Sequence, residues 1–202
     1  MANANRPSGF TPVQYLNGAE WSGQARLYSV AAAYGTALYI GDPVISSGTS
    51  DANGVPGVIL GAVTGALRGV IVGIGSSEGL PANIVNPNII YRPAAAQATD
   101  WYVMVADDPM ILFEIQEAAG TLQLAAADIG LNTAPVAAAG NGFISGWMLQ
   151  SSTGATPVTT ATIQLKLMGL VRRQQNAFGA YAKHLVKINV HELGTGTGTL
   201  GV

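Results

Sequence analysis

Four carboxylates fall close together in WYVMVADDPMILFEIQE, residues 101–117: Asp107, Asp108, Glu114 and Glu117. Two carboxyls, one protonated and one ionised across a scissile bond, are the apparatus of glycoside hydrolysis. The same oxygens would suit calcium. Their setting argues against both uses. Asp-Asp-Pro is ordinary turn chemistry, and Glu114 falls on the polar phase of an alternating strand. No loop carries the spaced carboxylates and glycine of an EF-hand. His184 and His191 stand seven residues apart, which puts them on opposite sides of a continuous strand. HEL at 191–193 lacks the second histidine of a HExxH zinc motif, and GxSxG is absent. GIGSSEG at 73–79 has one residue too many for GxGxxG and opens onto no convincing helix, and no GxxxxGK[ST] loop occurs. The expectation is a protein with no catalytic residue, no metal and no cofactor, and not an enzyme.

Residues that anchor protein interfaces are easier to find. NRPSGFTPVQYLNGAEW, residues 5–21, combines Arg6, Pro7, Phe10, Tyr15 and Trp21 with prolines that keep the chain extended. Aromatic side chains and Arg dominate interface hot spots, and an extended segment suits an arm laid on a partner. Equally, the three aromatics would serve as a lid on the domain's own core. Arm and lid look alike in sequence. Arg68, placed near a turn in an apolar run, is the remaining candidate for partner contact, free to reach solvent.

That run, VPGVILGAVTGALRGVIVGIG, has glycines at 57, 61, 65, 69 and 73. As a helix it would be a small-xxx-small face about 20 residues long, enough to cross a bilayer. Helical glycine costs roughly 0.8–1 kcal/mol relative to alanine, and Arg68 would sit near mid-span at roughly 2.5–3.5 kcal/mol more. Val and Ile favour a pleated strand. The run therefore reads as two strands, GVILGAV and RGVIVGIG, joined by a turn at 64–67.

Elsewhere the same strand signals recur. Residues 25–33 and 37–40 read as strands, GDPV at 41–44 as a bend, and 46–57 as a glycine-serine hinge containing Asn53-Gly54. Residues 76–99, with Pro81, Pro87 and Pro93, read as a surface excursion. Residues 101–117 read as strand, turn and strand, the second with one wet side. TIQLKLMGLV and LVKINVHEL alternate cleanly, NAFGAYAKHL offers a short helix, and the alanine runs at 125–127 and 137–139 read as tight turns and strand ends. The expected fold is all-β, an antiparallel sandwich or barrel. It comprises an extended N-terminal arm (1–24), one β-rich domain (25–193) and a tail (194–202) that is loose unless a neighbour orders it.

The 202 residues suffice for one sizeable core. Charged residues are only 10% against 49% hydrophobic, whereas soluble domains carry about 25% charge. Such a surface is hard to keep solvated alone, and burial in an assembly accounts for the deficit. A net charge of −2 offers no footprint for direct nucleic-acid binding. The absence of cysteine excludes disulfides and thiolate metal sites. The N-terminus lacks the basic start and apolar stretch of a signal peptide, so the expected place of synthesis is a cytoplasm.

NRPSGFTPVQYLNGAEWSGQAR, IGDPV, SSGTSDANGVPGV, ALRGVIVGIG, YVMVADDPMILFEIQE, SGWML, TIQLKLMGLV and NAFGAYAKHLVKINVHEL follow one another in this order. In that order and spacing the chain resembles, nearly end to end, the capsid cement or decoration proteins of tailed bacteriophages. Residues 76–99 and 118–142 lie outside the likeness. The resemblance implies a jelly-roll-like body on the outer capsid surface of a virion assembled in the host cytoplasm. It also implies the major capsid protein as partner, with neighbouring copies or a homo-oligomer on the shell, no membrane and no catalytic residues. The alternative from another class is a head-fibre or host-glycan-binding β module, and a carbohydrate-active enzyme is the weaker rival.

Overall fold

A computed structural model describes residues 3–75, 89–152, 157–194 and 197–201. In chain order the first strands are β1 (Thr11–Tyr15), β2 (Arg26–Val30), β3 (Leu38–Tyr39), β4 (Pro43–Ser50), β5 (Pro56–Leu60), β6 (Gly69–Gly75) and β7 (Tyr91–Arg92). There follow β8 (Trp101–Ala106), β9 (Ile111–Gln116), β10 (Asn132–Thr133), β11 (Pro135–Val136), β12 (Met148–Leu149), β13 (Leu165–Leu170) and β14 (Lys183–Ile188). The chain is all-β; a 3-10 turn at Ala126–Asp128 is the only helical element among the described residues.

Five strands close a barrel in the order β2-β5-β4-β6-β8, and five form an antiparallel sheet in the order β1-β9-β14-β13-β10. The β2/β5 contact is parallel; the other barrel pairings are antiparallel. Tyr28, Val44, Val58, Ile71, Ile74 and Val103 fill the barrel. A second core of Phe113, Ile115, Leu165, Leu167, Val186 and Ile188 lies between sheet and barrel. Strand alternation explains how one strand serves both: Val70 on β6 faces the second core and Ile71 the barrel. Leu60 packs against both clusters.

The apolar glycine run does form strands, β5 and β6, but these do not pair as a hairpin, because β4 sits between them. Gly65 (φ +85°) makes the turn, and a Cβ on Gly69 would lie 2.4 Å from the Ala106 carbonyl oxygen. Here glycine is what allows two backbones to meet. The glycine-serine stretch is shorter as a hinge than expected: 46–50 extend β4, and the turn is confined to the Asp51 region. There the Asp51 carboxylate accepts the N–H groups of Asn53 and Val55 at 2.9 and 2.7 Å.

Other expectations change. β9 has no wet side, since all six of its residues are buried. The N-terminal segment covers the Gln116 end of the outer face, where the Arg6 N–H donates to Gln116 Oε1 at 2.7 Å and Gln116 Nε2 donates to Asn5 at 2.8 Å. The Asp-Asp-Pro turn carries the chain from barrel to sheet, so β8 and β9 do not pair. NAFGAYAKHL forms no helix: Gly179 and Tyr181 have φ of +139° and +63°. Asn176 Nδ2 donates to Val171 O and Lys183 O, and its Oδ1 accepts the Lys183 N–H. In LVKINVHEL the alternation ends with β14 at Ile188; Asn189 and His191, on the expected polar phase, are buried.

Within the tail, residues 197–201 find their partners in the chain itself. Thr199 N–H donates to Asn189 Oδ1, Thr199 O accepts from Asn132, and Gly201 N–H donates to Thr159 O. Of the surface excursion, residues 76–88, including Pro81 and Pro87, lie outside the described residues, as does the end of GIGSSEG. Tyr91 stacks on Tyr39 across the β3/β7 pair, with ring centroids 5.4 Å apart.

Candidate partner-binding face

Three of the four candidate acids are held as structural groups, while Asp108 is exposed and accepts the Met110 N–H of its own turn. Tyr28 Oη donates to Asp107 Oδ2 at 2.6 Å, and burial with that bond pushes the Tyr28 phenol up to about 12. A phenol so held is a donor, not a nucleophile. Glu117 lies on the inner face, where its Oε2 is 3.1 Å from His184 Nε2 and its Oε1 accepts the Leu124 N–H at 2.8 Å. Both side chains are wholly inaccessible. Glu114 faces outward and binds Arg173 and Lys183. Glu114 and Glu117, three residues apart, therefore address opposite faces of the sheet and do not form a hydrolytic pair. No cluster of three or more metal-ligating side chains occurs among the described residues, and no described helix is long and apolar enough to cross a membrane.

Two cations are likewise held. Arg92 is fully buried and donates to the carbonyl oxygens of Ala31, Ala32, Tyr34, Thr36 and Pro93, stapling the β2–β3 connection. Arg68 is not free for a partner: its Nε lies 2.9 Å from Glu192 Oε2, its Nη2 donates to Ser46 Oγ at 2.7 Å, and it stands over the Tyr28 ring. His191 is buried nearby with its Nε2 unpartnered, and burial lowers its pKa to about 4.

Among the N-terminal residues the lid reading prevails for the aromatics. Phe10 is buried against Phe113, edge to face with centroids 6.1 Å apart, and cannot contact another protein. Tyr15 and Trp21 pack partly on the same core, and both bond to Gln24. β1 itself is an edge strand of the sheet, with its free side closed by Trp21 N–H to Val13 O and Tyr15 N–H to Ala19 O. Arg6 is exposed and Pro7 half-buried.

Cations that the interior does not use collect elsewhere. Along β13 and β14 every second residue points away from the core, which places Lys166, Lys187, Leu185 and Met168 on the outer face. A groove of about 780 Å³ crosses that face, lined by Val13, Met168, Leu170, Leu185, Arg172 and Arg173 among others. It meets a second hollow of about 410 Å³ at Ile129 and Met168, where Lys166 and Lys187 stand. Leu16, Phe178 and Leu200 are exposed large hydrophobics beside it. In the sequence these lysines stand on the wet phase of their strands, and the signal that marks the face is the recurrence of five cations between residues 166 and 187.

A separate pocket of about 340 Å³ is lined by Tyr39, Asp42, Leu60, Trp147 and residues 137–140. Asp42 is 2% exposed with Oδ1 unpartnered, and burial raises its carboxyl to about 6 against the pull of Ser145 and the Tyr39 N–H. No protein-family model, curated protein or solved structure matches the chain.

Proposed function

We propose that this chain is a structural cement or decoration protein that binds the outside of a tailed-bacteriophage head and bridges major capsid proteins. The observation that carries the reading is how the surface is made. In a chain with 10% charged residues, Asp107, Glu114, Glu117, Arg68, Arg92 and Glu192 all serve internal contacts. Among the described residues nine large hydrophobics, Phe143, Leu122 and Met110 included, remain exposed. A surface poor in free charge and rich in apolar side chains is suited to being covered. Repetition of modest contacts around a shell multiplies them through avidity, and the sequence resemblance supplies the setting.

Electron microscopy of heads assembled with and without the protein tests the reading. Added density on the outer shell, and heads that withstand heating longer, are the expected result; purified heads that recruit none of it would end the proposal. Deleting residues 1–21 is a poor test, because it also removes β1 and Phe10 from the fold. The second reading, a glycan-binding module, draws on the pocket at Tyr39, Asp42 and Trp147, which offers a carboxylate beside aromatic rings. A glycan array separates the two.

A further inference from the structure

We infer that the outer face of the sheet is a docking groove for an acidic, extended segment of a partner protein with apolar side chains at alternate positions. Lys166 and Lys187 are direct cross-strand partners on this face. Like charges set opposite one another oppose pairing of the strands that carry them, so their placement calls for a compensating anion. The face supplies little. Its lining includes one carboxylate, Glu114, already bound by Arg173 and Lys183. Lys166 spends its hydrogen bonds on Leu200 O and Thr199 Oγ1, neither of them charged. Among the described residues the side chains of Lys187 and Arg172 have no hydrogen-bond or ion-pair partner.

The result is four cations, Lys166, Lys187, Arg172 and Arg173, against one carboxylate in the linings of the two hollows, in a chain whose net charge is −2. Between the lysine end and the Arg172 end the floor is apolar, with Met168, Val13 and Leu185. From Lys166 to Arg172 the strand direction covers about 20 Å at 3.3 Å per residue, which an extended segment of about six residues would span. An extended chain sends successive side chains to opposite sides, so alternate apolar residues would meet the floor while acidic ones reach the rims. Single-stranded nucleic acid fits less well, because it needs aromatic platforms for its bases, and among the described residues Phe178 is the only aromatic ring lining the groove. The inference deepens the capsid proposal by naming a face and a partner chemistry, and rests on that reading only for where the partner is found.

The test uses the full chain and a fluorescent ten-residue peptide alternating Glu with Val or Leu, followed by anisotropy. Controls are the same peptide with Lys for Glu, the same with Ser for Val and Leu, and an oligothymidylate of equal charge. Saturable binding of the Glu peptide is expected, weakening with salt. The Lys166→Glu/Lys187→Glu variant should lose at least tenfold in affinity, and Arg26→Gln, on the barrel, should stay within twofold. Circular dichroism checks the fold; if the reversed pair fails to fold, Lys166→Gln/Lys187→Gln should still lose at least threefold. Unchanged affinity in the lysine variants, equal binding of the Lys or Ser peptide, or tighter binding of the oligonucleotide overturns the inference. Applied to heads, undiminished binding by the lysine variant overturns the groove and leaves the capsid reading standing. A wild-type chain that binds the Glu peptide but no heads overturns the capsid reading and leaves the groove.

Discussion

Glu117 and His184 sit at zero accessibility between sheet and barrel, each the other's side-chain partner. Replacing His184 by Leu leaves a buried carboxyl with a single donor, the Leu124 N–H, and should cost about 3 kcal/mol in urea unfolding. Adding Glu117→Met should recover part of that loss, because removing both members of a buried polar pair costs less than orphaning one. Asp42 and His191 pull stability in opposite directions with pH. Asp42, raised to about 6, favours the folded state below the unfolded value of 3.8 and loses that contribution as pH rises through 6. His191, lowered to about 4, stabilises above 6.5 and loses its contribution as pH falls through 4. Between pH 4 and 6 the two oppose, each worth of order 2–3 kcal/mol. Asp42→Asn should therefore uncover a fall in stability from pH 6.5 to 4 that is flatter in the wild type, read by denaturation at stepped pH.

Among the elements, β6 shows how one strand holds two cores and why its glycines are unequal. Gly69→Ala drives a methyl to 2.4 Å from the Ala106 carbonyl oxygen, whereas Gly73→Ala meets nothing nearer than Met104 Cβ at 3.5 Å. Gly69→Ala should cost about 1–3 kcal/mol, and Gly73→Ala should change the melting temperature little. On the β13/β14 pair, Lys187→Glu turns a like-charge pair into an opposite one and should stabilise the fold by about 0.2–1 kcal/mol, measured by thermal unfolding. A substitution that strengthens the fold while weakening a partner's binding marks residues placed for the partner. The edges of the sheet need no such partner, since residues 19–21 close β1 and Val158 closes β10 through bonds to Asn132.

For the whole molecule, the barrel and the sheet share a core, and the charges are divided unevenly: Asp42, Asp107 and Glu117 are buried while cations between 166 and 187 gather on one outer face. The strands themselves were legible in the sequence, because period-two alternation and turn chemistry are local. Arg26–Val30, Leu165–Leu170 and the turn at Asn53-Gly54 all lie where the pattern puts them. The all-β class follows from the same signals together with the scarcity of helical periodicity. Partnership was not legible. That β4 separates β5 from β6, that Phe10 is core and not anchor, that Arg68 binds Glu192 across more than a hundred residues, and that two lysines meet on neighbouring strands are facts of long-range pairing. A local pattern sets which way a side chain points; which charge or surface it meets is decided only when distant strands find their register, because pairing energy depends on both strands at once.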